Sequence, residues 1–269
     1  MDINHKYELL KIISLSEKGF VCLSRNLGMD NKSHRTVIIK FINKSFSSYF
    51  ITDKYKTIPK EMYFLNLIGN LGISPKVLDY SEDENYYGVV MEHLNNDWID
   101  LYYYSNKKRR EKRLIRIFRN IIKCLSKLSS QGIYFLDLKP ENIMVNKKTS
   151  QVKVIDFEDA EYITNDKNPI TNIAAGTYGY CAPETNNDGF YFIENAQIHA
   201  FGATLFSCIE RKAFYIFDKE SQEVTYSLMR SCSALARDLI EKCTDPDPNL
   251  RIEFDSILKH KWFNQNEPY

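Results

Sequence analysis

Three things are missing from this sequence, and each absence removes a class of function. Its six cysteines (Cys22, Cys124, Cys181, Cys208, Cys232 and Cys243) are scattered over 269 residues, with no C-x-x-C pair and no histidine at metal-ligand spacing. Such a distribution suits reduced thiols and argues against a disulfide framework or a zinc site. No apolar run approaches the ~20 residues that a membrane-spanning helix needs. The opening MDINHKYELL is mixed in charge and amphipathic, unlike a secretory signal. Charge of one sign is also missing: Lys and Arg total 36 against 35 Asp and Glu, a net charge of +1. A chain so balanced has no global field with which to gather nucleic acid or an anionic membrane, so its partners must be recognised through local sites. The expectation is an intracellular, cytoplasmic protein with no membrane span and no nucleic-acid partner. Repeats, low-complexity tracts and long linkers are absent too.

What is present reads as two lobes, which is where a chain of this length stands between one core and two. The first ninety residues are mainly short β-branched or aromatic runs between polar turns: FVCLSRN (20–26), RTVIIKFI (35–42), KVLDYS (76–81) and YYGVVMEHL (86–94). One helix interrupts them. PKEMYFLNLIGNLG starts at Pro59, a favoured first-turn residue, places Tyr63, Phe64, Leu67 and Ile68 on one apolar face, and stops near Gly69 and Gly72. After residue 95 the pattern turns helical. KRLIRIFRNIIKCLSKLSSQG carries Leu114, Phe118, Ile121, Ile122, Leu125 and Leu128 at helical spacing and ends at Gly132. Further helices are expected around 195–210, 233–243 and, briefly, 252–260, with a hairpin in IMVNKKTSQVKVIDF. The fold class is therefore α+β, with a β-rich lobe over 1–94 and an α-rich lobe over 95–269.

Between two apolar runs lies IYFLDLKPENIMVN (133–146), which sets Asp137, Lys139, Glu141 and Asn142 within a few positions of one another. With the order of elements, this stretch resembles the eukaryotic-type protein kinases, and the resemblance extends from about residue 7 to 263. It implies a bilobal kinase-like fold and a role for each matching residue. Lys40 of TVIIKFI matches the strand lysine that meets the α- and β-phosphates of ATP, and Glu61 its helical partner. Asp137 matches the residue that orients the attacking hydroxyl, Lys139 one that neutralises charge on the transferred phosphoryl group, and Asn142 a metal ligand. Asp156 of DFE matches the aspartate that chelates Mg²⁺. Met91 stands at the gatekeeper position, Glu92 to Leu94 at the segment facing adenine, and Asp97 at an acidic position that in relatives meets ribose or a basic substrate side chain. Lys139-Pro140 and GTYGYCAPE resemble the Ser/Thr branch, with Thr177 placed to contact the catalytic loop. Glu184 and Arg251 match a structural ion pair.

Four departures stand against this. The glycine-rich loop is represented by SLSEKGFV, in which only the third glycine survives as Gly19, followed by Val21; Ser14 and Ser16 replace the first two, so weakened phosphate binding is expected. Phe135 and Leu136 replace His and Arg of H-R-D. Without that Arg the chain has no socket for a phosphate on the activation loop, so activity is expected not to depend on phosphorylation of Thr164 or Thr171. Glu158 replaces the glycine of D-F-G and adds negative charge near the metal site. Gln197 replaces an Asp that anchors the catalytic loop.

The resemblance thus implies transfer of the γ-phosphate of ATP, with Mg²⁺ or Mn²⁺, to Ser/Thr hydroxyls of proteins, those with basic residues near the target among them. A second reading stays open: a pseudokinase that senses nucleotide or acts as a scaffold. The retained set Lys40, Glu61, Asp137, Lys139, Asn142 and Asp156 favours the enzyme, because a scaffold has no physical need of it.

Overall fold

Extended chain dominates the first part of the protein. The computed structural model describes residues 6–28, 36–46, 50–53, 56–106, 111–163, 170–186, 189–218, 221 and 223–265. Its strands run β1 (Tyr7–Ser16), β2 (Gly19–Asn26), β3 (Thr36–Asn43), a small hairpin of β4 (Phe50–Asp53) and β5 (Lys56–Pro59), then helix α1 (Lys60–Ile68), β6 (Val77–Glu82) and β7 (Tyr86–Glu92). Five of them form one antiparallel sheet in the order β1-β2-β3-β7-β6. On β3, Val37, Ile39 and Phe41 are buried together with Cys22, Val90 and Tyr7, and Phe20 stacks on Phe41 at 4.5 Å between ring centroids. Side chains alternate across a strand, so Lys40 leaves on the opposite face from that cluster.

Helix α1 starts just after Pro59, which sits at its N-cap, and ends at Gly69. Its buried face is Glu61, Met62, Phe64, Leu65 and Ile68. Leu67, expected on the apolar face, is instead 47% exposed. Strand β1 is the larger difference from the sequence reading, which began its strands at residue 20. Beyond Tyr7 its residues are exposed, and two bulges interrupt its pairing with β2. An exposed apolar run has no inside-outside alternation from which a strand can be read.

The second part begins with β8 (Trp98–Asp100) and the helices α2 (Leu101–Asn106) and α3 (Glu111–Ser129). Short strands follow: β9 (Ile133–Phe135), β10 (Ile143–Asn146), β11 (Val152–Val154) and β12 (Ala160–Tyr162). β10 pairs antiparallel with both β11 and β8, which gives the expected hairpin one extra strand, and β9 pairs with β12. Helices α4 (Ile193–Glu210), α5 (Ala234–Cys243) and α6 (Phe254–Ile257) complete the second part. On α3 all six apolar residues named from the sequence are buried. The helix stops where Gly132 takes φ +74°, and a Cβ there would come within 2.6 Å of the Ile163 carbonyl oxygen. α4 is buried nearly all round from Ile193 to Cys208, as a core helix should be.

The chain forms two compact units: one runs to Asp97 and takes in Ile155–Glu158, the other comprises Trp98–Val154 and the chain from Asp159 onward. The α+β class, with a strand-rich first part and a helical second part, is the one expected from the sequence. All six cysteines are free thiols. Among the described residues no helix is long and apolar enough to cross a membrane.

Candidate active site

In the first unit the site is built around one ammonium group. Lys40 Nζ lies 2.7 Å from Asp156 Oδ1, 2.8 Å from Glu158 Oε1 and 3.6 Å from Glu61 Oε2. The cluster draws on three pieces of chain: β3 carries Lys40, α1 turns Glu61 inward until only 2% of its side chain is exposed, and Ile155–Glu158 carries the other two acids. The Phe157 N–H donates to Glu61 Oε2, the same oxygen that faces Lys40, so that one oxygen is held by two donors. Burial works against the charged lysine, but Glu61, Asp156 and Glu158 outweigh it and hold its pKa above the ordinary lysine value. Burial pushes the Glu61 carboxyl up to about 7 despite the pull of Lys40. Asp156 has φ +69°, a left-handed conformation that Asp tolerates better than most residues.

The expected glycine-rich loop is a tight hairpin. Ser14 and Ser16 belong to β1, paired with Val21 and Gly19, and only Glu17 and Lys18 form the turn. The Ser16 hydroxyl donates to the Gly19 carbonyl at 3.2 Å. Gly19 has a structural reason to be glycine: at φ +145°, a Cβ would stand 1.9 Å from the Phe41 carbonyl oxygen. Val21 lies directly across from Lys40. Met91 is buried opposite Ile38, the Glu92 N–H is taken by the Lys76 carbonyl at 2.8 Å, and Leu94 follows the end of the strand, half-buried. The Asp97 N–H bonds Asn95 Oδ1 at 3.0 Å.

In the second unit, Asp137 is the centre. Its Oδ1 accepts from Thr177 Oγ1 at 2.6 Å, and its Oδ2 accepts from Lys139 Nζ at 2.6 Å and Asn142 Nδ2 at 2.8 Å. Lys139 also donates to Thr177 Oγ1 at 2.7 Å. Asn142 gives a second hydrogen bond to the Asp137 carbonyl at 2.9 Å, so its NH₂ is committed and its Oδ1 is oriented as an acceptor. Helix α4 pins the loop from beneath: Gln197 Nε2 donates to the Phe135 carbonyl at 3.2 Å, and Thr204 Oγ1 to the Leu138 carbonyl at 3.0 Å. Gln197 therefore donates to the loop rather than accepting from it, and its Oε1 is buried without a hydrogen-bond partner among the described residues. Leu136 packs with Tyr134 and Ile193 in an apolar cluster flanked by Ile163 and Ala175. Arg251 meets Glu184 with two parallel bonds, at 2.5 and 2.8 Å.

Two functional contacts escaped the sequence reading. Thr204 is a polar residue in a helix interior with no local signal of its target. The sequence marks Glu158 as a lost glycine and an added charge near the metal site, but not its reach to both Lys40 and, at 3.4 Å, Lys18. Thr164 lies outside the described residues. Thr171 is buried.

Taken unit by unit, the chemistry of the donors suits a hard divalent cation. Asp156 and Asn142 offer hard oxygens, and Mg²⁺ is usually held by one or two carboxylates completed by phosphate and water. A strand lysine braced by a helical glutamate, followed in the chain by a loop aspartate tied to Lys and Asn, is the arrangement of a protein kinase. The chain belongs to that family: the protein kinase domain model matches residues 23–263. It is 26% identical to the mouse (Mus musculus) PAS domain-containing serine/threonine-protein kinase over 98% of this chain and 19% of that protein. It is 25% identical to serine/threonine-protein kinase 1 of African swine fever virus (isolate Pig/Kenya/KEN-50/1950) over 88% of this chain and 76% of the viral one. Serine/threonine-protein kinase PSK1 of Saccharomyces cerevisiae is 27% identical over 96% of this chain and 20% of its own length. The chain thus spans about a fifth of the mouse and yeast relatives and about three quarters of the viral one. The resemblance to the Ser/Thr branch read from the sequence is shown by these relatives.

Proposed function

We propose that the protein transfers the γ-phosphoryl group of ATP to Ser or Thr hydroxyls of protein substrates. The observation that carries this is the Asp137 carboxylate held by Lys139, Thr177 and Asn142. Three donors fix its orientation, and Oδ1, accepting a single bond, keeps a lone pair for a substrate hydroxyl. Lys139 adds positive charge where the phosphoryl group passes. In the first unit Lys40, braced by Glu61, binds the α- and β-phosphates, with Ser14, Ser16, Gly19 and Val21 over them and Met91, Glu92, Leu94 and Asp97 serving the nucleoside. Asp156 of the first unit and Asn142 of the second would each offer an oxygen to Mg²⁺, or to Mn²⁺ in its place, and the cation would neutralise phosphate charge.

Activity is independent of activation-loop phosphorylation. Leu136 supports this, because it fills with apolar contacts the place where an arginine would receive a phosphate. Exposed Glu141 and half-buried Asp97 support a preference for substrates with basic residues near the target. Six free thiols support a cytoplasmic location.

Phosphate transfer from labelled ATP to a basic protein tests the reading, with Asp137→Asn beside the wild type. Transfer lost in the variant is the expected result; equal transfer by both removes Asp137 from its role. One observation favours the second reading, a nucleotide-binding pseudokinase: Lys40 is already shared among three carboxylates. ATP binding without any transfer would establish it.

A further inference from the structure

The turn between β1 and β2 carries a lysine where the glycine-rich loop has lost two of its glycines. Strand pairing occupies Ser14 and Ser16, so little loop is left whose backbone N–H groups can approach a phosphate closely. The turn itself is tied down. The Asn43 N–H donates to the Lys18 carbonyl at 2.8 Å, and Asn43 Nδ2 to the Glu17 carbonyl at 3.3 Å, so the turn is fixed to the end of β3, three residues past Lys40. From this anchored position Lys18 Nζ reaches Glu158 Oε2 at 3.4 Å, while the other oxygen of the same carboxylate, Oε1, is 2.8 Å from Lys40 Nζ. One carboxylate thus bridges two ammonium groups, one of them the lysine assigned to the phosphates.

Two ammonium groups drawn to one small anion form a site for a larger one. A polyphosphate presents several anionic oxygens, and each ammonium forms stronger charge-assisted bonds to phosphate than to a shared carboxylate edge. Glu158 is only 15% exposed, whereas Lys18 is 44% exposed, so the lysine is the partner that can follow an incoming ligand. We infer that Lys18 is a second cationic ligand for the nucleotide polyphosphate, taking over from the lost glycines, and that Glu158 is a resident anion that positions Lys18 and Lys40 until the polyphosphate replaces it. The inference rests on the reading of this unit as an ATP site.

Binding measured calorimetrically without divalent cations isolates the phosphates, with ATP and adenosine as the two probes. Lys18→Met weakens ATP about tenfold, the size of one charge-assisted bond, leaves adenosine unchanged, and Lys18→Arg stays near wild type. Glu158→Gln, which removes a charge repelling the phosphates and keeps the side-chain shape, tightens ATP several-fold without changing adenosine. The inference is overturned if Lys18→Met changes ATP and adenosine alike or neither, or if Glu158→Gln weakens ATP. If neither probe binds wild type or Glu158→Gln, the ATP-site reading itself falls and the inference with it. Binding of both probes with no effect of Lys18→Met removes the inference and leaves that reading standing.

Discussion

Arg251 and Glu184 face each other as a fork on a fork, with Nη1 to Oε1 at 2.5 Å and Nη2 to Oε2 at 2.8 Å. The arginine side chain is fully buried, and two further donors go to the Asn195 and Asp245 carbonyls at 2.8 and 3.0 Å. One guanidinium therefore joins the segment after Thr177, the start of α4 and the turn before Arg251. Lysine presents a point charge and cannot serve all of these acceptors. Arg251→Met leaves a partly buried carboxylate unpaired and is expected to destabilise the second unit by about 3–5 kcal/mol. Arg251→Lys should fall about halfway. Urea unfolding followed by tryptophan fluorescence gives the number, and a loss below ~1 kcal/mol for Arg251→Met would show that the pair is decorative.

Gln197 presents the opposite case. Its Nε2 holds the Phe135 carbonyl, but its Oε1 is buried with no partner among the described residues. The bond contributes about 0.5–1.5 kcal/mol, whereas an orphaned buried acceptor costs about 1–3 kcal/mol. Gln197→Met keeps the volume and removes both terms but also withdraws a donor from the Phe135 carbonyl, so the variant should stay within ~1 kcal/mol of the parent. A loss of ~2 kcal/mol or more in the same unfolding experiment, on the scale of a full buried polar group, would show that the Gln197 amide stabilises the loop despite its orphaned Oε1.

How much of this was legible beforehand depends on whether the signal was local. The run RTVIIKFI read as a strand is the strand that carries Lys40, and the 3.6-residue spacing on α3 predicted six buried side chains that are buried. Asp137, Lys139 and Asn142 fall within one short loop, so their neighbourhood followed from the sequence. β1 did not, because its leucines and isoleucines are exposed and leave no periodic trace. Leu67 turned outward because α1 buries Glu61 and Leu65, and a charged residue in a core-facing row is assigned by its partner, here Lys40, rather than by its hydropathy. The bridge from Glu158 to Lys18 spans 140 positions, a contact that no window along the sequence contains.

His199 gives the protein a specific sensitivity to acid. It is buried on α4, with Nδ1 3.1 Å from the Tyr180 carbonyl and its ring edge-on to Phe214. Burial first, and then the nearby Arg251 charge, lower its pKa from 6.5 to about 4, with the Tyr180 carbonyl and Glu184 opposing. The folded protein therefore keeps the imidazole neutral where the unfolded chain already binds a proton. Stability from this group is complete above pH ~6.5 and is lost as the pH falls toward 4, by about 3 kcal/mol in total at ~1.4 kcal/mol per unit. His199→Gln removes the titration, so its stability curve should be flatter than wild type between these limits. Parallel curves would show that the folded protein accepts the proton without cost.

Thr177 uses a single hydroxyl for two purposes, donating to Asp137 Oδ1 at 2.6 Å and accepting from Lys139 at 2.7 Å. Valine has nearly the same shape but can do neither. Without the hydroxyl, Asp137 is steered only by Lys139 and Asn142, and both of these bind Oδ2, so the carboxylate gains freedom about the axis that Oδ1 had fixed. One or two charge-assisted bonds at about 1.5–3 kcal/mol correspond to a fall in kcat of about tenfold to a hundredfold. The KM for ATP should stay put, since Thr177 belongs to the hydroxyl-orienting cluster of the second unit rather than to the lysine-centred cluster of the first. Thr177→Ser restores the hydroxyl and should return kcat to near the wild-type value. Steady-state phosphotransfer by the two variants separates the possibilities: if valine and serine behave alike, the hydroxyl is not needed, and the orientation of Asp137 rests on Lys139 and Asn142 alone.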